Sequence, residues 1–244
     1  MNRKVVLVTG ASGGIGEACA RRLAQAGFTV LAHAGRGMEK VQQLSRDLCQ
    51  AGLDVHPCQA DLSKSSSVRR LAEEILSVHH SLYGMVHCAG VAYSGLLTDM
   101  SDEDWERIMD TNLSSAFYLC RAFLPGMIRQ QEGSIVLISS MWGQAGASCE
   151  AAYSASKAGM IGLGRALAKE VGPSGIRVNC VAPGVIDTPM MSGYSEADKA
   201  ELADTAALGR LGRPEDVAGV CAFLMGNESA FITGQVIGVD GGFL

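Results

Sequence analysis

The sequence predicts an α/β fold: a single doubly wound domain, with a seven-stranded parallel sheet and helices on both faces. Three observations carry this. Short apolar runs alternate with segments of helical period from end to end. Runs such as Ile135-Val136-Leu137-Ile138 are unbroken, as strands covered on both faces require. And 244 residues with 48% hydrophobic side chains can bury one sizeable core and are too apolar for disorder.

Taken in order, the strands are expected at Lys4–Thr9, Thr29–His33, Asp54–Gln59, Tyr83–Cys88, Ser134–Ser139, Arg177–Val181 and Gln235–Val239. Helical periodicity fills Ile15–Ala26, Met38–Ala51, Ser65–His79, Asp102–Gln130, Ala151–Val171 and Pro214–Met225. Ser65 and Ser101 suit N-caps, and Gly27, Gly52 and Gly172 suit C-terminal stops. No repeat, low-complexity tract or linker divides residues 1–244. The stretch from 184 to 213, rich in Gly, Met and small polar residues, reads as a loop with one short helix. Beyond the carboxyl end of a strand in such a sheet, a loop of this kind commonly covers a ligand.

Composition narrows the function. A net charge of −5 without any long basic run argues against a nucleic-acid surface. The run Val5-Val6-Leu7-Val8 is too short for a signal-peptide core, and no 18-residue apolar run follows, so no membrane is expected and a cytoplasmic protein is. The eight cysteines stand nine or more residues apart and the histidines lack ligand spacing, so no metal is implied and the thiols read as reduced core residues.

The stretch Thr9-Gly10-Ala11-Ser12-Gly13-Gly14-Ile15-Gly16 links the first strand to the first helix. Glycines at 10, 14 and 16 permit a tight turn and let backbone N–H groups and the positive helix end approach a pyrophosphate. Gly10, Ser12, Gly13, Gly14, Ile15 and Gly16 are therefore candidate cofactor contacts; close helix–sheet packing is the other explanation of such a turn. The second strand ends Ala32-His33-Ala34-Gly35-Arg36, with no carboxylate before Glu39. An acid there would hold a ribose 2′-hydroxyl, whereas Arg36, assisted by His33, suits a 2′-phosphate. NADP(H) is thus favoured over NAD(H), unless Arg36 is simply a solvated loop residue.

Tyr153 and Lys157 stand four apart and share a helix face. A phenol ionises near pKa ~10, and bringing it close to neutrality takes about 4 kcal/mol of differential stabilisation. An ammonium in a water-excluded site, with a cationic nicotinamide, is able to supply that. Tyr153 then gives its proton to a carbonyl reduced by hydride. Ser139-Ser140 ends the fifth strand at the edge where ligands bind, so a hydroxyl there can hold the substrate oxygen.

With these residues the chain resembles, over its whole length, the short-chain dehydrogenases/reductases, a Rossmann-fold family. The resemblance rests on the TGASGGIG turn, Asp61, Asn112, Ser140, the Tyr153-xxx-Lys157 pair and Pro183-Gly184. It implies catalysis by Ser140, Tyr153 and Lys157, with Asn112 holding a water in the proton relay. It implies adenine contacts from Asp61 and Leu62, a cofactor cleft lined by Ala89, Gly90, Pro183 and Gly184, a nicotinamide ribose held by Tyr153 and Lys157, and carboxamide contacts from Ile186 and Thr188. It also implies a homotetramer, built on 102–130 with 151–171 in one interface and on 241–244 in another. Two departures stand out. His87-Cys88-Ala89-Gly90 replaces the usual Asn-Asn-Ala-Gly, and Gly13 stands where NADPH-dependent relatives often carry Arg or Lys.

For the substrate, Asn179–Thr188 and Ile232–Gln235 resemble 3-oxoacyl-[acyl-carrier-protein] reductases, although Gln131 and Ser174 stand where a carrier-docking base is expected. Ser139–Gln144 with Gly146–Glu150 resembles elongation factor P 5-aminopentanone reductases. Glu150 then either recognises a cationic substrate or merely complements the helix start. Trp142, Met190, Met191 and Tyr194 are candidates for an apolar substrate wall, or are lid packing. The substrate is accordingly a small-molecule or carrier-bound ketone. A hydroxysteroid dehydrogenase and a non-catalytic NADP(H) sensor are the remaining alternatives.

Overall fold

Strand β1 (Val5–Thr9) is the point from which the sheet winds both ways: it pairs in parallel with β2 (Thr29–Ala34) on one side and β4 (Gly84–His87) on the other. The computed structural model, which describes residues 3–244, completes the sheet with β3 (Val55–Gln59), β5 (Gly133–Ile138), β6 (Ile176–Pro183) and β7 (Val236–Val239), in the order β3-β2-β1-β4-β5-β6-β7. All the pairings are parallel. The reversal of strand order between β1 and β4 opens a crevice at their carboxyl ends, next to Thr9 and His87.

The helices are α1 (Gly14–Gln25), α2 (Met38–Gln50), α3 (Ser65–His79), α4 (Asp102–Met109), α5 (Ser115–Gln130), α6 (Trp142–Ala145), α7 (Ala151–Val171), α8 (Glu196–Thr205) and α9 (Pro214–Met225). Side chains alternate along the strands, so each strand feeds two cores. Val6, Val8, Val136 and Ile138 pack with Cys19, Leu23, Val41 and Leu224 beneath α1, α2 and α9. Leu7, Ile135 and Leu137 point the other way, to Leu71, Leu119, Phe123 and Met160 on α3, α5 and α7. Burying a side chain such as Phe123 contributes roughly 1.5–3 kcal/mol, so both helix layers are tied to the sheet. At the edge, β3 exposes His56, Pro57 and Gln59, and Pro57 is tolerated there because an edge strand can forgo one ladder donor.

Several sequence expectations need correction. The helix expected over Asp102–Gln130 is broken by a π-turn, Asp110–Ser114. The hydroxyl of Ser115 donates back to the Thr111 carbonyl (2.6 Å), a bond of the kind that competes with regular helical pairing, and that of Ser114 donates to the Asp110 carboxylate (3.0 Å). Ser101 does cap α4, accepting from the Asp104 N–H at 3.1 Å. Ser65, however, lies inside α3; Lys64 is the cap residue, and Ser67 accepts from the Asp61 N–H instead. Gly172 has φ −53° and passes α7 into a 3-10 turn, Gly172–Ser174, so the left-handed stop is Gly175 at φ +72°. Among the cysteines, Cys49 and Cys149 are exposed and only Cys19, Cys120, Cys180 and Cys221 are fully buried.

The segment from 184 to 213 carries a 3-10 turn, Pro189–Met191, and the capped helix α8. It is pinned at both ends by the Ile186–Gly212 bridge. Among the described residues, no helix is long and apolar enough to cross a membrane and no cluster of His, Cys, Asp and Glu is arranged to hold a metal.

Candidate active site

The turn after β1 is a cradle that needs glycine at particular positions. Gly10 has φ +68°, and a Cβ there would stand 2.9 Å from the Ala89 backbone. A Cβ on Gly16 would collide with the Gly10 carbonyl oxygen, and one on Gly14 would meet the Thr188 methyl at 2.8 Å. Gly13 is different: a Cβ would make only ordinary contact there. The turn thus brings backbone N–H groups to the α1 N-terminus without side chains from Gly13, Gly14 or Gly16 to cover them, an arrangement suited to a pyrophosphate. Ser12 lies against Gly37, which places the exposed Arg36 beside the same turn. Arg36 makes no ion pair or side-chain hydrogen bond among the described residues, so its guanidinium is available to an anion.

His33 does not join Arg36. It is buried, its Nε2–H donates to the Ala60 carbonyl (3.0 Å) and its Nδ1 accepts a long bond from the Gly10 N–H (3.5 Å). Burial depresses its pKa. A neutral imidazole with both nitrogens occupied holds the turn and is not presented to a phosphate. Asp61 is exposed, and hydrogen bonds from the Ser63 hydroxyl and amide hold its carboxyl below the usual range, while Leu62 is buried behind it.

The chemical residues converge from β5, α7 and the π-turn. The Ser139 hydroxyl is spent on the Lys157 carbonyl (2.9 Å), locking β5 to α7. Ser140 is the serine next to the phenol: it accepts from the Trp142 N–H (3.1 Å) and lowers the Tyr153 pKa. Lys157 is buried, its Nζ donates to the Ile138 carbonyl (2.8 Å), and it lies 5.7 Å from the centre of the Tyr153 ring. Burial brings its pKa down to about 8.

The Tyr153 phenol is raised, by burial first and by the Glu150 carboxylate as well, against the pull of Ser140. The net effect leaves the phenol above its ordinary value. A phenol raised in this way stays protonated at neutral pH, the form that a proton donor to a carbonyl requires.

Asn112 is fully buried in the π-turn, at the junction with the cofactor crevice. Its amide donates to the Val91 carbonyl (3.0 Å) and the Ser156 hydroxyl (3.0 Å), and its carbonyl accepts from the Val91 N–H (2.8 Å). Both amide protons are thus engaged within the protein. Gly90 lies under this cluster, where a Cβ would be 3.4 Å from Lys157 Nζ. Pro183 is buried, and Gly184 packs so tightly on Asp240 that a Cβ would fall 2.7 Å from its Cα. Ile186 is buried and Thr188 faces Gly14.

The expected apolar wall is only partly formed. Met191 is buried, but Met190 and Tyr194 are largely exposed. Trp142 packs edge-on against Phe243, with ring centres 5.3 Å apart, so the C-terminal aromatic joins the wall. Glu150 precedes α7 without a capping hydrogen bond, is half-buried, and has its pKa raised by that burial. Sequence reasoning missed Phe243 as a wall residue, and Ile138, whose contribution is a carbonyl and carries no side-chain signal. It also missed Ser156 and Gly143. A Cβ on Gly143 would lie 2.7 Å from the Ser139 hydroxyl, a contact no local pattern records.

A nucleotide cradle, a Ser-Tyr-Lys cluster and the β1/β4 crevice define a dinucleotide-dependent oxidoreductase, and comparison with known proteins agrees. The family model described as enoyl-(acyl carrier protein) reductase matches residues 10–244. An uncharacterised oxidoreductase of Bacillus subtilis, YmfI, is 40% identical over 98% of both chains. The 3-oxoacyl-[acyl-carrier-protein] reductase FabG of Chlamydia muridarum is 41% identical over 98% of this chain and 96% of that one. The solved structure of gox2181 superposes with a TM-score of 0.95 at 33% identity, covering 100% of this chain and 96% of that one. The chain belongs to the short-chain dehydrogenase/reductase family. Within it, the protein is an oxidoreductase of CH–OH groups that resembles the 3-oxoacyl-[acyl-carrier-protein] reductases.

Proposed function

We propose that the protein is an NADP(H)-dependent reductase that converts a ketone, carrier-bound or small, to a secondary alcohol. The observation that carries this is the continuity of the Tyr153–Lys157 pair with the glycine cradle: Lys157 Nζ stands beside Gly90, whose neighbour Ala89 packs on Gly10. The bound dinucleotide supplies hydride. Arg36 gives a charge-assisted contact to a 2′-phosphate, and the amides of Ser12, Gly14 and Ile15, which the turn does not use internally as it does those of Gly10, Ala11 and Gly13, receive the pyrophosphate. Ser140 donates to the substrate oxygen and orients it. Tyr153, held protonated by burial, delivers a proton to that oxygen, and Lys157 stabilises the phenolate that results. The Asn112 side chain is committed to Val91 and Ser156 and so holds the cleft floor beside Lys157.

The FabG relatives favour a 3-oxoacyl thioester on an acyl carrier. Glu150 supports a second reading, in which a ketone bearing an amine, such as the 5-aminopentanone group on elongation factor P, is reduced. This half-buried carboxylate has no ion-pair partner among the described residues, and a cation in the cleft would compensate it. The experiment is an NADPH-consumption screen over a 3-oxoacyl thioester, aminoketones and oxosteroids, with NADH in parallel. Faster turnover of the thioester assigns carrier-type metabolism, preference for the aminoketone assigns the second reading, and no consumption with any ketone defeats both.

We further propose a cytoplasmic homotetramer. Free cysteines suit a reducing compartment, and the exposed Trp105, Phe117 and Ile128 on α4 and α5 provide an apolar surface for a neighbouring copy.

A further inference from the structure

Behind the cofactor crevice, at the carboxyl end of β4, His87 lies fully buried. The hydrogen bonds around it leave one consistent assignment. The Ser115 hydroxyl donates to the Thr111 carbonyl (2.6 Å), so its oxygen accepts from His87 Nε2–H (3.0 Å). That leaves Nδ1 as an acceptor, which takes the Thr9 hydroxyl proton (2.9 Å). The Thr9 oxygen in turn accepts from the Ala89 N–H (3.1 Å). Thr9 and Ser115 are as buried as the ring itself.

The chain Ala89 – Thr9 – His87 – Ser115 – Thr111 thus runs from the crevice floor, through the last residue before the glycine turn, to the π-turn that carries Asn112. The far end of the same floor is held by the Asn112 side chain on Val91. An asparagine at position 87 ends one atom short of where Nε2 stands, so it would keep the bond to Thr9 and lose the one to Ser115.

We propose that His87 is a positioning residue of this reductase, with two separable arms: Thr9 and Ala89 set the cofactor floor, and Ser115 sets the turn that holds Asn112 beside Lys157. The inference deepens the reductase reading and rests on it for the second arm only. The burial that fixes the ring neutral agrees with the assignment: desolvation first, then the Lys157 charge, bring its pKa down to about 3.

The test separates the arms, reading NADPH dissociation constants by fluorescence titration, kcat by ketone turnover and Tm by melting. Thr9→Val should raise the NADPH Kd at least five-fold more than it lowers kcat; Ser115→Ala should do the reverse. His87→Leu should show both losses, and His87→Gln, which returns a donor to the Nε2 position, should recover most of kcat. If His87→Leu does not fold, the two single-arm variants carry the test. Losses in Kd and kcat that follow Tm equally in both arms, or that stay within two-fold throughout, would overturn the proposal. A wild-type protein that binds NADPH yet reduces no ketone would defeat the reductase reading alone, and the Kd arm would still judge His87.

Discussion

The Lys157 ammonium lies 5.7 Å from the centre of the Tyr153 ring while donating to the Ile138 carbonyl, so the strand end that carries Ser139 and Ser140 also fixes the lysine against the phenol. Bond, charge and proton donor are thus set by one β5–α7 junction.

Removing the phenolic hydroxyl tests the chemistry directly. Tyr153→Phe should lower kcat by roughly 10²–10⁴-fold, the range of a lost general acid, while the NADPH Kd from fluorescence titration stays close to wild type. Substantial turnover in that variant would mean that the proton comes from elsewhere.

The lysine sets a pH limit. With a pKa of about 8 it is mostly charged at pH 7 and loses its proton as pH rises through that value. The rate of ketone reduction should therefore decline above pH 8, and a flat profile to pH 9.5 would remove Lys157 from the phenolate-stabilising role.

Glu150 acts on the same phenol with the opposite sign. Because its charge helps raise the Tyr153 pKa, Glu150→Gln should shift the acidic limb of alcohol oxidation downward. An upward shift would contradict the electrostatic assignment.

Cofactor choice rests on Arg36. A charged hydrogen bond contributes roughly 1.5–3 kcal/mol, so Arg36→Ala should weaken NADPH by about ten-fold or more and leave NADH nearly unchanged. Equal weakening of the two dinucleotides would place the guanidinium away from the phosphate.

Acid should destabilise the fold before its carboxylates titrate. His33 and His87 are held neutral by burial, with folded pKa values below the ~6.5 of an unfolded chain. Their contribution is complete above pH 6.5 and is lost as pH falls toward about 3, the folded value for His87. Each imidazole adds up to about 1.4 kcal/mol per pH unit to that loss. Urea melts at pH 7 and pH 5 should show it, with a smaller difference in His87→Gln; an unchanged difference in that variant would show that folding does not depress the His87 pKa.

The architecture was legible where one pattern had one physical meaning. Ile135–Ile138 is apolar at every position because both faces are covered, and Tyr153 with Lys157 reads as one helix face because four residues nearly complete a turn. The break at Asp110–Ser114 was not legible, since each of its residues is tolerated in a helix and the cause is hydroxyl back-bonding. His33 was misread for a related reason: its neighbours in sequence suggest a phosphate site, but its ring is turned inward to Ala60 and Gly10, and only the tertiary structure shows which way a strand-end side chain points. Trp142 was anticipated at the wall; its partner Phe243, a hundred residues later, was not, because no short-range spacing links them.

The strand order has a bearing on biosynthesis. Since β4 inserts beside β1 only after two intervening βα units are made, and β5 and β6 follow it, the glycine cradle leaves the ribosome more than a hundred residues ahead of Lys157. Nascent chains should therefore be able to assemble the nucleotide half early, while its β1 edge awaits a later strand, the kind of exposed intermediate on which chaperones act.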